Sequence, residues 1–156
     1  MADYTIHLPS KPRVISEEGD SGVFEIEGLY PGYGHTLGNS LRRIILSSLP
    51  GVAITSVKIT GVSHEFSTID GIKEDVVTIL LNLKKVRMRF STDEPQTLTL
   101  KIKGEKVVKA SDLEVPGQVE ILTPDEVIAT LTSKNASLEM EIRAEKGLGF
   151  MPKEMI

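Results

Sequence analysis

The sequence predicts an α+β fold of short antiparallel strands and two main helices. Two kinds of periodicity carry that expectation. Several segments alternate apolar and charged residues with a period of two, and two others repeat apolar residues at helical spacing. The composition is that of an ordinary folded chain: 156 residues, 40% hydrophobic and 26% charged, which excludes disorder and collagen-like repeats.

Taken in chain order, the first alternating segment is Val23 to Glu27 (V-F-E-I-E). Val86, Met88 and Phe90 then alternate with Lys85, Arg87 and Arg89. Leu98, Leu100 and Ile102 share one face of T-L-T-L-K-I-K, and Leu138, Met140 and Ile142 alternate with Glu139, Glu141 and Arg143. One apolar and one charged side mark half-buried antiparallel strands. Turns are expected at Asp70-Gly71, Lys103-Gly104, Pro116-Gly117 and Pro124-Asp125.

The first helix is expected from an N-cap at Thr36 to Leu49, ended by Pro50-Gly51. Tyr33 precedes it, and its apolar stripe is Leu37, Leu41, Ile44 and Ile45, continued by Ser48. The second is expected from Gly71 to Lys84, with Ile72, Val76, Ile79, Leu80 and Leu83 on one face. Glu74 and Asp75 fall in its first turns and Lys84-Lys85 at its end, the charge order that the helix dipole favours. A boundary is expected near Pro50-Gly51.

Several function classes are excluded by composition. With no cysteine, disulfide scaffolds, Cys-based zinc sites and thiol nucleophiles are ruled out. His7, His35 and His64 are too scattered to form an i, i+4 metal pair. The net charge of −4 and the count of four Phe, three Tyr and no Trp oppose a stand-alone nucleic-acid binder. No apolar run approaches the ~20 residues of a membrane span. No secretory signal is expected, since Asp3 arrives at once, and the cytoplasm is the expected compartment.

Candidate catalytic patterns each have a plainer reading. Gly19-Asp20-Ser21-Gly22 copies the run around a serine-protease nucleophile, yet its position before a strand suits a hairpin turn. Glu74-Asp75, Asp93-Glu94 and Asp125-Glu126 are adjacent pairs that diverge in space, and no D-x-D run is present to hold magnesium. Gly32-Tyr33-Gly34-His35-Thr36-Leu37-Gly38 leads into a helix whose N-terminus suits an anion. It matches neither a dinucleotide fingerprint nor a P-loop, and a tight turn with a glycine admitting close helix packing is the preferred reading. No cofactor is expected.

One oddity remains on the first helix. Leu46 lies ~180° from Leu37 at helical spacing, beside Asn39, Arg42 and Arg43. An outer-face leucine among arginines suits a protein contact; the alternatives are burial by another part of the same chain, or simply one of many exposed leucines. Leu81, opposite Ile72 on the second helix, repeats the pattern.

The run G-Y-G-H-T-L-G-N-S-L-R-R-I-I-L-S-S-L-P-G (residues 32–51) closely resembles the first-helix signature of the bacterial RNA polymerase alpha-subunit family. Val62 to Thr68 (V-S-H-E-F-S-T) looks like its next hairpin, and Gly71 to Lys84 like its next helix. Leu131 to Ile142 and Lys146 to Pro152 resemble its later strands and loop. The resemblance implies a discontinuous dimerisation domain carrying an inserted, mostly β domain. Residues 1–51 would be the amino-terminal part of the dimerisation domain, its carboxy-terminal part missing, and residues 52–156 a nearly complete inserted domain. It implies a non-catalytic scaffold that pairs with a second alpha subunit and seeds assembly with beta and beta-prime. By matching positions, Arg43 and Leu46, with Asn39 and Arg42, would face beta, and Lys84 beta-prime. Tyr33, Leu37, Leu41, Ile44, Ile45 and Ser48 would form the dimer and core side of the helix. Thr78 stands where the family often has an acidic residue. No direct DNA binding is expected from this region. The residues alone leave a competitor: a small enzyme or binding module holding an anionic ligand at the Gly32–Gly38 turn, with His35 as a base.

Overall fold

The computed structural model describes residues 8–19 and 21–152. His7 and Asp20, named above, lie outside the described residues. These run in order β1 (Arg13–Glu18), β2 (Ser21–Glu25), α1 (Tyr33–Ser48), β3 (Pro50–Ile59), α2 (Val76–Leu83), β4 (Met88–Phe90) and β5 (Gln96–Lys103). Then come β6 (Lys106–Lys109), a short 3-10 turn (Ala110–Asp112), β7 (Val119–Ile121), β8 (Val127–Leu131) and β9 (Ser137–Leu148). They fall into two compact units, Met1–Ser47 and Ser48–Ile156. The expected mixture of small antiparallel sheets and two helices is what the chain forms.

In the first unit, β1 and β2 form an antiparallel hairpin in which Glu18 pairs with Ser21. The run with Gly19 and Ser21 is therefore at a hairpin turn, and Gly19 has φ +55°, a conformation that glycine adopts without strain. The helix α1 starts at Tyr33, ahead of the expected Thr36 cap. Gly32, at φ +82°, turns the chain early, and the Tyr33 N–H donates to the Tyr30 carbonyl at 2.9 Å. Thr36 lies inside the helix, where its carbonyl accepts the Ser40 hydroxyl at 2.9 Å. At the other end the helix stops at Ser48, and Pro50 opens the next strand.

The second unit centres on β9, which pairs antiparallel with β3 on one side and β5 on the other. Leu138, Met140, Ile142 and Ala144 point inward from β9, while Ser137, Glu139, Glu141 and Arg143 point outward. Register places Ile142 opposite Leu98 and Met140 opposite Leu100 on β5. The alternation of the sequence therefore becomes one apolar face, against which α2 and β8 pack Val76, Ile79, Leu83, Ile128 and Leu131. No buried polar side chain interrupts that core among the described residues. Two further antiparallel pairs, β4 with β7 and β6 with β8, complete the unit.

The second helix is shorter than expected, because residues 71–74 pair with β8 and its flank instead of coiling. Ile72 bridges to Leu131, the Lys73 N–H donates to the Thr130 carbonyl at 2.9 Å, and the Glu74 carboxylate accepts the Thr130 N–H at 2.6 Å. Gly71 makes this approach feasible. Its φ is +76°, and a Cβ there would lie 2.9 Å from the Ala136 Cβ. The helix then opens on Asp75, whose carboxylate accepts the Thr78 N–H at 2.9 Å as an N-cap. Hydrogen bonding from the Thr78 side chain, and then from its backbone N–H, holds the Asp75 carboxyl below its ordinary pKa. Val62 to Thr68, expected as a hairpin, is instead a loop of turns, with the Ser67 hydroxyl donating to the His64 carbonyl at 2.8 Å.

Three expectations of stability follow. Leu98 is fully buried, so Leu98→Ala should lose about 2–5 kcal/mol through the cavity it leaves. Leu41, expected above on the core side of its helix, is instead 43% exposed. Leu41→Ala should therefore lower the stability of the isolated chain by less than about 1 kcal/mol; urea melts compare the pair. Asp112 accepts from Lys106 Nζ at 2.7 Å and from the Lys109 N–H at 2.9 Å. The Lys106 bond, then the Lys109 N–H, hold its carboxyl below the ordinary range. Stability from a lowered carboxylate is present above its unfolded pKa of ~3.9 and lost as pH falls through the lower folded value. Melts from pH 5 to about 2 should thus fall less steeply in Asp112→Asn than in the parent.

Candidate functional site

The helix α1 carries most of the residues singled out in the sequence, and none of its residues is buried. Asn39, Arg42 and Arg43 are exposed, and Leu46 is 61% exposed. Burial of Leu46 by another part of the chain, the first alternative weighed above, is not found. The opposite stripe is also accessible: Leu41, Ile44 and Ile45 are exposed, and only Leu37 reaches half-burial. Tyr33 is exposed as well. An amphipathic helix thus presents large aliphatic side chains on two faces. Isolated exposed leucines are normal on protein surfaces, but a helix with no buried side is not held by its own chain's core.

The glycines of this helix behave differently from expectation. Beyond the helix's own backbone, Gly34 and Gly38 have no heavy atom within 4 Å of where a Cβ would stand, so no close packing partner among the described residues explains them. His35 lies on the helix and is exposed, not part of a preceding turn.

On the second unit, Lys84 forms the C-cap of α2, its N–H donating to the Leu80 carbonyl at 3.1 Å. Its side chain is exposed at the helix end where the dipole favours a cation. Thr78 is exposed one to two turns earlier, and Leu81 is 54% exposed on the same outer side of the helix. An open groove of 550 Å³ adjoins this helix end, lined by Asn82 and Lys85 and by Leu122 through Val127. Asn82 is held in place by donating to the Ile128 carbonyl at 3.1 Å. Sequence spacing gave no sign of this groove, because Lys85 and Leu122 come together only through the pairing of β4 with β7.

The adjacent acid pairs have separate structural partners. Glu74 caps the Thr130 N–H, Asp75 caps α2, Asp93 accepts from Lys146 Nζ at 2.6 Å, and Asp125 lies 3.0 Å from Lys109 Nζ. Among the described residues, no group of three His, Asp or Glu comes together as a metal site. Among the described residues, no helix is long and apolar enough to cross a membrane. What these surfaces offer chemically is protein contact: aliphatic side chains beside arginine on α1, and aliphatic side chains beside lysine at the end of α2.

Comparison with known proteins agrees with the resemblance read from α1. The chain is 50% identical over 144 residues to the DNA-directed RNA polymerase subunit alpha of Roseiflexus castenholzii, covering 92% of this chain and 45% of that protein. It is 52% identical over 148 residues to the subunit alpha of Oceanobacillus iheyensis, covering 92% of this chain and 47% of that one. For Alkaliphilus oremlandii the identity is 53% over 148 residues, covering 92% and 46%. The chain therefore spans about half the length of these relatives. The family model described as the RNA polymerase Rpb3/RpoA insert domain matches residues 57–155, a stretch that runs from the end of β3 through β9. On that match, which covers more than half of the sequence, the chain belongs to the RNA polymerase Rpb3/RpoA insert domain family.

Proposed function

We infer that this chain acts as a non-catalytic assembly scaffold of a bacterial-type DNA-directed RNA polymerase, working in the cytoplasm. The observation that carries the reading is α1. Its sequence is the run that resembles the alpha-subunit signature, and its apolar stripe and arginine face are both left accessible. A helix of that kind gains stability by burying its faces against other chains.

In this reading residues 1–51 belong to a dimerisation domain and residues 52–156 to a domain inserted into it. Tyr33, Leu37, Leu41, Ile44, Ile45 and Ser48 pack against a second alpha subunit. Arg43 and Leu46, flanked by Asn39 and Arg42, contact beta, and Lys84 faces beta-prime. The polymerase is an enzyme as a complex, and this chain supplies contact surfaces to it. DNA is not its partner in this region, which fits the net charge of −4.

Co-expression of the tagged chain with beta and beta-prime tests the reading. Both large subunits should be retained by the chain, and retention of neither would refute it. Arg43→Ala and Leu46→Ala should each weaken capture of beta by ~2 kcal/mol or more, about 30-fold, if they are interface anchors. Urea melts of the same variants should coincide with the parent, because both side chains are exposed. A variant that melted early while capturing beta normally would assign these residues to folding.

A further inference from the structure

The strand β8 runs on into Thr132 as V-I-A-T-L-T, six residues without a charge, a proline or a glycine. Val127, Ile128, Thr130 and Thr132 are β-branched, a composition that pairs readily with a copy of itself wherever an edge is open. One edge of β8 is taken by β6, with Val107 opposite Thr130 and Val108 opposite Ala129. On the other edge no strand lies beside it among the described residues, only the single bridge of Ile72 to Leu131.

That outer edge is nonetheless closed, bond by bond, by residues between Gly71 and Asn82. Thr132 donates its N–H to the Gly71 carbonyl at 2.8 Å, and the Thr130 carbonyl accepts the Lys73 N–H at 2.9 Å. Backbone pairing stops there, because the chain turns into α2. Side chains complete the row. The Glu74 carboxylate accepts the Thr130 N–H at 2.6 Å, taking the place of a strand carbonyl. Asn82 Nδ2 donates to the Ile128 carbonyl at 3.1 Å, taking the place of a strand N–H. Ile128 is fully buried and is the extra residue of a β-bulge, with no partner on β6.

Both side chains are otherwise poorly placed. Glu74 is half-buried, yet it joins no salt bridge among the described residues. Asn82 is a weak helix former in an eight-residue helix whose other residues, Thr78 apart, are aliphatic. Without them a donor and an acceptor on β8 would lack partners.

We propose that Glu74 and Asn82 form a latch that shuts the outer edge of β8 against strand pairing with a second copy of this chain. Each supplies one side-chain group where a neighbouring strand would supply a backbone group. An opened edge would meet the same edge of another copy antiparallel, with the N–H and carbonyl of Thr130 exchanged between the two. The side chains of Ile128, Ala129 and Leu131 are committed to the core, so the edge is the route by which this segment joins another molecule. None of these bonds involves α1 or Lys84, and the latch stands apart from the assembly reading.

Hydrogen exchange read by NMR on the whole chain, compared with Glu74→Ala combined with Asn82→Ala, tests the latch. The Thr130 amide should lose about tenfold or more of its protection relative to Leu100, whose fully buried position reports global unfolding. Glu74→Gln keeps an acceptor oxygen and should retain most of that protection. Equal loss in Glu74→Gln and Glu74→Ala would assign Glu74 to the charge at the start of α2 and overturn the proposal. The chain has no cysteine, so Val127→Cys carries a unique spin label. In an antiparallel pair centred on Thr130, two such labels stand roughly 20 Å apart along the strands. Pulsed electron resonance should find that distance in the double variant as concentration rises, and not in the labelled parent. Thr130 exchange that keeps step with Leu100, label distances in the double variant that match the parent's, or the paired distance already present in the parent would each overturn it. Should the double variant fail to fold, Glu74→Ala alone is read by the same two measurements.

Discussion

The pairing of β9 with two strands at once is the constraint on which the second unit depends. β9 is the middle of three strands, so its register is fixed from both sides, with Met140 opposite Ile59 on β3 and Leu100 on β5. A slip by one residue would turn Glu139 and Glu141 into the core and Leu138 and Met140 to solvent. Burying those carboxylates without partners would cost more than any surface contact could return. Outward, Glu139 meets Lys101 at 3.0 Å across the strand, a pairing available only in the native register. That bond, with the charge of Glu139, raises the pKa of Lys101.

Once that sheet is set, the candidate surfaces follow. The apolar side of β9 and β5 takes α2 as a lid through Val76, Ile79 and Leu83. Committing those residues inward leaves Thr78, Leu81 and Lys85 outward. The β4 and β7 pairing, Met88 opposite Ile121 and Phe90 opposite Val119, then carries Leu122 to the end of the helix. The groove is thus a by-product of two separate packing decisions, one for a helix face and one for a strand register.

The first unit shows the contrasting case. Its hairpin and α1 have local reasons to form: a two-sided strand pattern, a turn at Gly19, and the leucines and arginines of Leu41 to Leu46, which are good helix formers. They lack a buried residue to hold them, as β1, β2 and α1 show no fully buried position. Apolar side chains such as Phe24 at 59% and Ile44 at 55% exposure give the surface a hydrophobic character that is unusual unless it meets a partner. The division between a unit that closes its own core and one that does not is the physical basis of the scaffold reading.

The sequence by itself determined the α+β class, the inward residues of β5 and β9, and the termination of α1 before Pro50, because each is a local pattern of period, charge or backbone restriction. The twenty-residue run around α1 also carried the family resemblance, since it combines glycines, arginines and aliphatics in a fixed order. Tertiary structure alone decided that α2 begins at Val76, where pairing of residues 71–74 with β8 outcompeted helix propensity over Gly71 to Asp75. It also decided that Leu41 is exposed, because burial depends on what lies across from a face and not on the face itself. The groove of Asn82, Lys85 and Leu122 to Val127 was illegible for the same reason: residues far apart in the chain line one groove only when strand register sets them side by side.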